Sequence, residues 1–100
     1  MGKKYLFLFP HEISKKPFKT RELIESKHCD LIVAEVSLPA TGQGIELGWA
    51  NSKGIPIICI YKNGVEISSS LKLISDRFIP YNKTEDLIIK LGKELQNINE

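Results

Sequence analysis

The sequence has little of what marks disulfide-linked, membrane-spanning or nucleic-acid-binding proteins. Its two cysteines, Cys29 and Cys59, lie in apolar runs and not at paired spacings, so we expect buried thiols and neither a disulfide nor a metal site. The net charge of only +2 excludes a strongly basic nucleic-acid binder. The apolar run at 5–10 is too short for a membrane span or a complete signal peptide. We therefore expect a soluble, cytoplasmic protein with no nucleic-acid or membrane partner.

What the chain does contain is enough apolar sequence for one folded domain. Apolar residues make up 42% of its 100 residues, so residues 1–100 are expected to form a single domain with its own core. Short apolar runs predict buried strands at 5–9, 31–36 and 56–61, with a weaker fourth strand at 77–81. Because these runs do not alternate with polar residues, they favour a parallel sheet that is covered on both faces.

Helical patterns separate the predicted strands. Residues 20–27 and 43–53 predict two helices, and Gly54 follows the second at a position where glycine often ends a helix. A short helix is predicted over 69–75. A further helix is expected to begin at Thr84, with acidic residues in its first turn and an apolar stripe along one side. That stripe comprises Leu87, Ile88, Leu91 and Leu95.

The order of these strands and helices predicts a doubly wound α/β protein. Its sheet should be mostly parallel, with helices on both faces joined by right-handed crossovers. In such sheets ligands bind beyond the carboxyl ends of the strands. The segments that follow strand ends are residues 11–12, 37–44 and 62–69, so we expect the functional site among them.

The segment between the second strand and the next helix carries the clearest chemical signal. Gly42 and Gly44 allow positive φ angles and the close approach of a ligand to the backbone. Glu46 falls in the predicted first helical turn, where the helix dipole favours its ionised form. An ionised carboxylate beside the anomeric carbon of a sugar can act as a nucleophile. By residue type alone, the same pattern also fits an ordinary helix start with a capping acid.

A resemblance to a known family rests on two stretches of sequence. The first is residues 29–50, Cys-Asp-Leu-Ile-Val-Ala-Glu-Val-Ser-Leu-Pro-Ala-Thr-Gly-Gln-Gly-Ile-Glu-Leu-Gly-Trp-Ala, and the second is residues 54–60, Gly-Ile-Pro-Ile-Ile-Cys-Ile. Together they resemble the core of the nucleoside 2-deoxyribosyltransferase family, and within it the branch of 2′-deoxynucleoside 5′-monophosphate N-glycosidases. The resemblance implies a Rossmann-like fold, no cofactor, and chemistry at the N-glycosidic bond of a small nucleoside or nucleotide.

The resemblance also implies which residues form a catalytic site. Glu46 corresponds to the family's nucleophile, and Gly42 and Gly44 belong to the glycine motif around it. Glu22 occupies the place of a second acid, usually Asp, that orients the sugar or protonates the leaving base. A solvated acid on a helix surface explains Glu22 equally well, so its role depends on the resemblance alone.

Three further residues correspond to substrate-binding positions of the family. Ala40 stands where the monophosphate branch has a serine that contacts the phosphate, so this chain has lost that hydroxyl. Ser70 matches a serine that follows the third strand and sometimes reaches into the site of a neighbouring subunit. His11 follows the first strand, where the family has a similar histidine, and we expect a minor role for it.

The implied activity is hydrolysis at the N-glycosidic bond of a 2′-deoxynucleoside or its 5′-monophosphate, or transfer to a second base. Within this class we favour the monophosphate, while the loss of a hydroxyl at Ala40 keeps free nucleosides open. Family members normally begin with one more strand and helix, and because residues 5–9 match their second strand, that first unit is expected to be absent. The family pairs its subunits, which predicts a homodimer or a larger homo-oligomer.

Two alternatives remain open at this point. The absent first unit and the substitution at Glu22 favour a catalytically inactive module of the same fold that binds a nucleotide or nucleoside. A weaker alternative is a different Rossmann-like nucleotide glycosidase, such as the cytokinin-activating phosphoribohydrolases. Their Pro-Gly-Gly-x-Gly-Thr-x-x-Glu element resembles residues 39–46 only loosely.

Overall fold

A computed structural model describes residues 4–9 and 29–99 of the chain. In this part, four strands form one sheet, and two α-helices and a 3₁₀ helix accompany it. In chain order the elements are β1 (Tyr5–Leu8), β2 (Leu31–Glu35), α1 (Thr41–Ser52), β3 (Ile57–Lys62), the 3₁₀ helix (Ser69–Leu73), β4 (Arg77–Tyr81) and α2 (Thr84–Asn99). The predicted helix over 20–27 lies outside the described residues.

The sheet is parallel throughout its described strands, with the spatial order β1-β2-β3-β4. Its central strands, β2 and β3, are the most buried ones, because both of their faces are covered by the rest of the protein. Ile32, Ile58 and Cys59 are fully buried there, and Ile32 pairs with Ile57 in the register of β2 and β3. The four strand predictions are confirmed, with ends that differ from the structure by one residue at most.

Alternate residues of each strand face opposite sides of the sheet, which gives the protein two apolar layers. On one side Ile32, Ala34 and Cys59 pack with Leu47 and Ala50 of α1. On the other side Leu31, Val33, Ile58, Ile60 and Ile79 pack with residues of α2. The predicted doubly wound arrangement, with helices on both faces of a parallel sheet, is confirmed.

The helix α1 begins at Thr41, two residues before the predicted start. Its buried residues are Gln43, Glu46, Leu47 and Ala50, which share one face because they are three, four and seven residues apart. The helix ends as predicted, because Gly54 adopts a φ angle of +74°, a conformation that residues with a β-carbon rarely reach. The Ile55 N–H then donates to the Ala50 carbonyl at 3.0 Å, which leads the chain directly into β3.

The helix α2 follows β4 closely and begins at Thr84 as predicted. Asp86 in its first turn accepts hydrogen bonds from the Asn82 and Lys83 N–H groups at 3.0 and 2.6 Å, and these bonds lower the pKa of its carboxyl. Leu87, Leu91, Leu95 and Ile98 cover the sheet. The prediction that Ile88 belongs to this stripe is wrong, since its side chain is 65% exposed. Successive helical residues are about 100° apart, so the neighbour of Leu87 points away from the sheet.

Candidate functional site at the carboxyl edge of the sheet

A buried amide joins helix α1 to the carboxyl edge of the sheet. Gln43 is only 3% exposed, and its Nε2 donates to the Glu35 carbonyl oxygen at 2.9 Å and to the Leu8 carbonyl oxygen at 3.4 Å. These carbonyls belong to the last residues of β2 and β1. The first turn of α1 is thus fixed against two strand ends by a single side chain.

A carboxylate and a phenol support the loop that leads into α1. The Glu35 Oε1 accepts a hydrogen bond from the Ser37 N–H at 2.6 Å, and the Glu35 Oε2 accepts one from the Tyr81 hydroxyl. Burial, together with the bond and the negative charge of Glu35, raises the pKa of Tyr81 to about 12. The Ser37 Oγ in turn accepts a bond from the Lys62 N–H at 2.8 Å. This network connects the ends of β2, β3 and β4 beneath the loop.

A cavity of about 330 Å³ opens between the start of α1 and the segment that precedes β4. This volume falls at the lower end of the range of roughly 300–1,000 Å³ that is usual for small-molecule sites. Its lining residues come from the end of β2, from the loop and first turn of α1, and from residues 66–71. They are Val36, Leu38, Pro39, Ala40, Thr41, Gln43, Gly44, Glu66, Ile67, Ser68, Ser70 and Leu71.

Three of the residues that the sequence proposes for substrate binding line this cavity together. Ala40 is the N-cap residue of α1 and offers no side-chain cap to the free N–H groups of the helix start. Gly44 lies one turn into the helix, and a β-carbon there would meet no atom within 4 Å. Ser70 is exposed, and its hydroxyl forms a hydrogen bond of 2.8 Å with the hydroxyl of Ser68. The sequence-based choice of loops is therefore consistent with one continuous surface.

Gly42 and Gly44 do not adopt the positive φ angles that the sequence pattern suggests for them. Both were expected to allow positive φ angles around the start of the helix, but the helix begins at Thr41 and contains both. The described glycines with positive φ are Gly54 and Gly64. The two glycines therefore matter as missing side chains at the start of α1, and only Gly44 borders the cavity.

Glu46 is buried, with only 2% of its surface exposed, and it lies on the same face of α1 as Gln43. The expectation that it stands in the first helical turn is wrong, because the helix starts at Thr41 and has no acidic residue in that turn. The helix dipole acts mainly within the first turn, so it does not explain this carboxylate. Glu46 follows Gln43 by three residues and is absent from the lining of the cavity. The other proposed site residues, His11 and Glu22, lie outside the described residues.

The two cysteines are buried, as predicted, and they are poor candidates for nucleophiles. Burial raises the pKa of the Cys59 thiol to about 11, although a hydrogen bond with Ser75 acts in the opposite direction. Burial also raises the pKa of Cys29, and the negative charge of Asp30 adds to this effect. Within 4–9 and 29–99, no cluster of His, Cys, Asp and Glu residues could hold a metal ion. In the same ranges, no helix is long and apolar enough to cross a membrane.

Sequence reasoning missed several residues at this edge of the sheet. Gln43 stands at the variable position of the Gly-x-Gly element, and its spacing from Leu47 and Ala50 was a signal that it faces inward. Glu66 borders the cavity but follows a turn, where an acid carries no local signal. Glu35 and Tyr81 are 46 residues apart, so no local pattern could have linked them.

Comparisons with known proteins give partial matches in sequence and matches in fold. "Putative 2′-deoxynucleoside 5′-phosphate N-hydrolase 1" of Syntrophotalea carbinolica is 45% identical over 40 residues, which are 40% of this chain and 28% of that protein. The 5-hydroxymethyl-dUMP N-hydrolase of Mus musculus is 34% identical over 70 residues, or 66% of this chain and 40% of that protein. The chain thus spans less than half of the length of these relatives. A scan against protein-family models gives no match.

The structure of the Clostridium botulinum CMP N-glycosidase BcmB superposes with a TM-score of 0.59 at 24% identity, covering 89% of this chain and 99% of that one. At this identity the likeness shows a shared fold, which is the parallel α/β fold described above. The sequence relatives and this fold fit the nucleoside 2-deoxyribosyltransferase-like family. The resemblance to this family is therefore confirmed.

Proposed function

We propose that this protein cleaves the N-glycosidic bond of a 2′-deoxynucleoside or its 5′-monophosphate, with Glu46 as the nucleophile. The observation that carries the proposal is the burial of the Glu46 side chain on α1, beside the carboxyl edge of the sheet. The printed names of two sequence relatives, both N-hydrolases of deoxynucleotides, support the reaction type. The cavity lined by Ala40, Gly44 and Ser70 supports a small-molecule substrate at the same end of the fold.

Burial distinguishes Glu46 from an ordinary helix acid. A carboxylate at the protein surface keeps its hydration. A buried carboxylate loses it, and the desolvation penalty is on the order of several kcal/mol per ion. An acid that only supported the helix start would be expected in the first turn and in contact with water. Glu46 has neither property. A carboxylate that is held away from water also reacts more readily as a nucleophile once a substrate reaches it.

The proposed reaction proceeds in two displacements. A Glu46 oxygen attacks C1′ of the sugar while the bond from C1′ to the base nitrogen breaks, and the base leaves with that electron pair and takes up a proton. The first product is a deoxyribosyl ester of Glu46. Water then attacks C1′ and loses a proton while the bond from C1′ to the Glu46 oxygen breaks. This step releases deoxyribose or its phosphate and regenerates the carboxylate. If a second base attacks in place of water, the result is transfer. A 2′-deoxy sugar lacks the electron-withdrawing hydroxyl and so tolerates the positive charge of the transition state better.

One comparison of variants tests this proposal. Each of the four 2′-deoxynucleosides and their 5′-monophosphates is incubated with the wild type, with Glu46→Gln and with Glu85→Gln, and free base is measured by chromatography. Glu85 is an exposed acid at the start of α2 and serves as the control for the same change of charge. We expect base release from at least one substrate, a loss of roughly 10⁴-fold or more in Glu46→Gln, and no loss in the control. Undiminished release by Glu46→Gln would refute the nucleophile assignment.

A second candidate function is a binding module of the same fold that performs no cleavage. One observation favours it, since Glu46 is absent from the lining of the cavity. If this candidate is correct, a deoxynucleoside or its monophosphate will bind in calorimetry while no substrate releases its base. Detectable base release by the wild type that depends on Glu46 would exclude the module.

The proposal extends to assembly and location. A homodimer or larger homo-oligomer follows from the family resemblance, in which a loop of one subunit completes the site of another. The cytoplasmic location follows from the two cysteines, which the sequence does not place at paired spacings. Light scattering of the purified protein measures its mass directly. A monomer at all accessible concentrations would contradict the assembly, while leaving the reaction to be tested on its own.

A further inference from the structure

We infer that Tyr81 and Glu35 are positioning residues for substrate binding, because together they fix the loop that forms one wall of the cavity. The inference rests on the proposed function and adds to it two residues that do not border the cavity themselves. Its basis is a chain of hydrogen bonds that runs from the end of β4 to the reverse side of that loop at Ser37.

The loop between β2 and α1 faces the cavity with nearly all of its residues. Of residues 36–41, all but Ser37 line the cavity. Ser37 is tied to the sheet instead: its N–H donates to the Glu35 Oε1 at 2.6 Å, and its Oγ accepts a bond from the Lys62 N–H at 2.8 Å. The position of the cavity wall therefore depends on how firmly Ser37 is held from behind.

The carboxylate of Glu35 holds Ser37 only if its own orientation is fixed. Glu35 is half-buried at the end of β2, and its Oε2 accepts a hydrogen bond from the Tyr81 hydroxyl. A carboxylate with one oxygen held in this way presents the other oxygen in one direction, here towards the Ser37 N–H. Without the phenol, the half-buried carboxylate would be free to rotate towards water and to release the loop.

Tyr81 is a rigid anchor because several parts of the fold hold the end of β4. Its carbonyl oxygen accepts a bond from the Asn63 N–H at 2.8 Å, and its side chain packs against the apolar layer that α2 covers. The preceding residue, Pro80, has a fixed φ angle, and its carbonyl oxygen accepts a bond from the Lys90 Nζ at 2.8 Å. Tyr81 thus connects the position of β4 and α2 to the loop that leads into α1.

The same bonds also stabilise the fold, so positioning and stability must be told apart. A variant that only loses folded protein loses kcat and keeps KM, because the remaining molecules bind substrate as before. A displaced cavity wall weakens binding instead, and so raises both KM and Kd. A misplacement of about 1 Å can cost about 100-fold in rate, so we expect about tenfold for the loss of one bond behind the wall.

Binding and kinetics of a matched set of variants test this inference. KM and kcat, and Kd by calorimetry, are measured with the four 2′-deoxynucleosides and their 5′-monophosphates. We expect Tyr81→Phe and Glu35→Ala each to raise KM and Kd about tenfold. Tyr81→Phe should add nothing in the Glu35→Ala background, because Tyr81 acts through Glu35. Glu35→Gln should recover most of the affinity, since an amide can accept from the Ser37 N–H and donate to the Tyr81 oxygen. Tyr61 packs on the other face of the sheet, so Tyr61→Phe is the control and should change neither constant.

Hydrogen exchange measured by NMR tests the geometry without any activity. In Tyr81→Phe we expect the Ser37 amide to exchange about tenfold faster than in the wild type. The neighbouring Val36 N–H donates to the Ile60 carbonyl oxygen at 2.9 Å and should keep its rate. Equal acceleration at both amides would show a general loss of stability and would refute the inference.

The outcomes separate this inference from the proposed function. If the wild type binds a compound but releases no base, the proposed function fails, and the Kd values still decide the inference. If Tyr81→Phe keeps the wild-type KM and Kd, or if its effect adds in full to that of Glu35→Ala, the inference is refuted while the proposed function stands. If no compound binds or reacts, both are refuted.

Discussion

The buried amide of Gln43 makes the most specific prediction about the fold, through the isosteric substitution Gln43→Glu. In the wild type, Nε2 donates at 2.9 Å to Glu35 O and at 3.4 Å to Leu8 O. Replacing the side chain by Met removes both bonds and leaves two carbonyl oxygens without this donor, which costs about 1–3 kcal/mol. An ionised glutamate places a negative oxygen against the same carbonyl oxygens, and for a buried charge without compensation we expect about 3–5 kcal/mol.

The pH dependence separates these two effects. Burial and the nearby carbonyl oxygens raise the pKa of a carboxyl at this position above its value in the unfolded chain. The folded state then binds the proton more tightly, so the stability of Gln43→Glu is greatest at low pH. It falls as the pH rises above about 4.3, by up to about 1.4 kcal/mol for each pH unit. Gln43→Met has no such group and should show no added pH dependence.

Urea unfolding at pH 5 and pH 8 measures both quantities. Relative to the wild type, we expect the midpoint of Gln43→Glu at pH 8 to fall by roughly 1 M or more, and this deficit should shrink clearly at pH 5. Gln96→Glu, the same substitution at an exposed site on α2, is the control and should change little. Equal stability of Gln43→Glu and wild type at pH 8 would show that the amide does not contact the two carbonyl oxygens.

Further predictions concern packing, backbone conformation and titration. Leu47 is 1% exposed, and Leu47→Ala should lower the free energy of unfolding in urea by about 2–5 kcal/mol. Leu73 is 81% exposed, and Leu73→Ala should lower it by less than about 0.5 kcal/mol. Similar losses in the two variants would contradict the assigned core. Gly54→Ala should destabilise by about 1–2 kcal/mol because of its positive φ angle, whereas Gly92→Ala within α2 should stabilise by about 0.5–1 kcal/mol. A β-carbon meets nothing within 4 Å at either glycine, so effects of the same sign would refute this reading. The pKa of Tyr81 is raised to about 12 in the folded protein, so the wild type should lose stability as the pH rises from about 10 to that value. Tyr81→Phe should lack this loss, and parallel curves of stability against pH for the two proteins would contradict the prediction.

The strands and the fold class could be predicted because the signal that defines them is local. Continuous apolar runs such as 31–36 mark strands covered on both faces, and Ile32 and Val33 are indeed buried on opposite sides of the sheet. The start of α1 was harder to predict. Its N-cap is Ala40, which has no side chain that signals a cap, and two of the first four helical residues are glycines.

The candidate site could be predicted only in part, since its decisive contacts join distant segments. The predicted loops do bring Ala40, Gly44 and Ser70 to one cavity, because the carboxyl ends of parallel strands meet at one edge; their role in binding stays a prediction. The burial of Glu46 could not be predicted, because acidic residues are usually exposed and the helix periodicity counts them as polar. Its burial breaks the simple pattern of an apolar inner face. Such exceptions are expected where function imposes a residue that packing alone would not select.

The central claim, that Glu46 forms a covalent bond with the sugar, is tested most directly by mass spectrometry of an acid-quenched reaction. Trypsin cleavage after Lys27 and Lys53 releases a peptide over 28–53 that contains both Glu35 and Glu46, so fragmentation must locate the adduct. We predict a deoxyribosyl group on Glu46 in the wild type, and no adduct in Glu46→Gln. An adduct on Glu35 or on another peptide, or base release by the wild type without any adduct in a quench faster than turnover, would contradict the account.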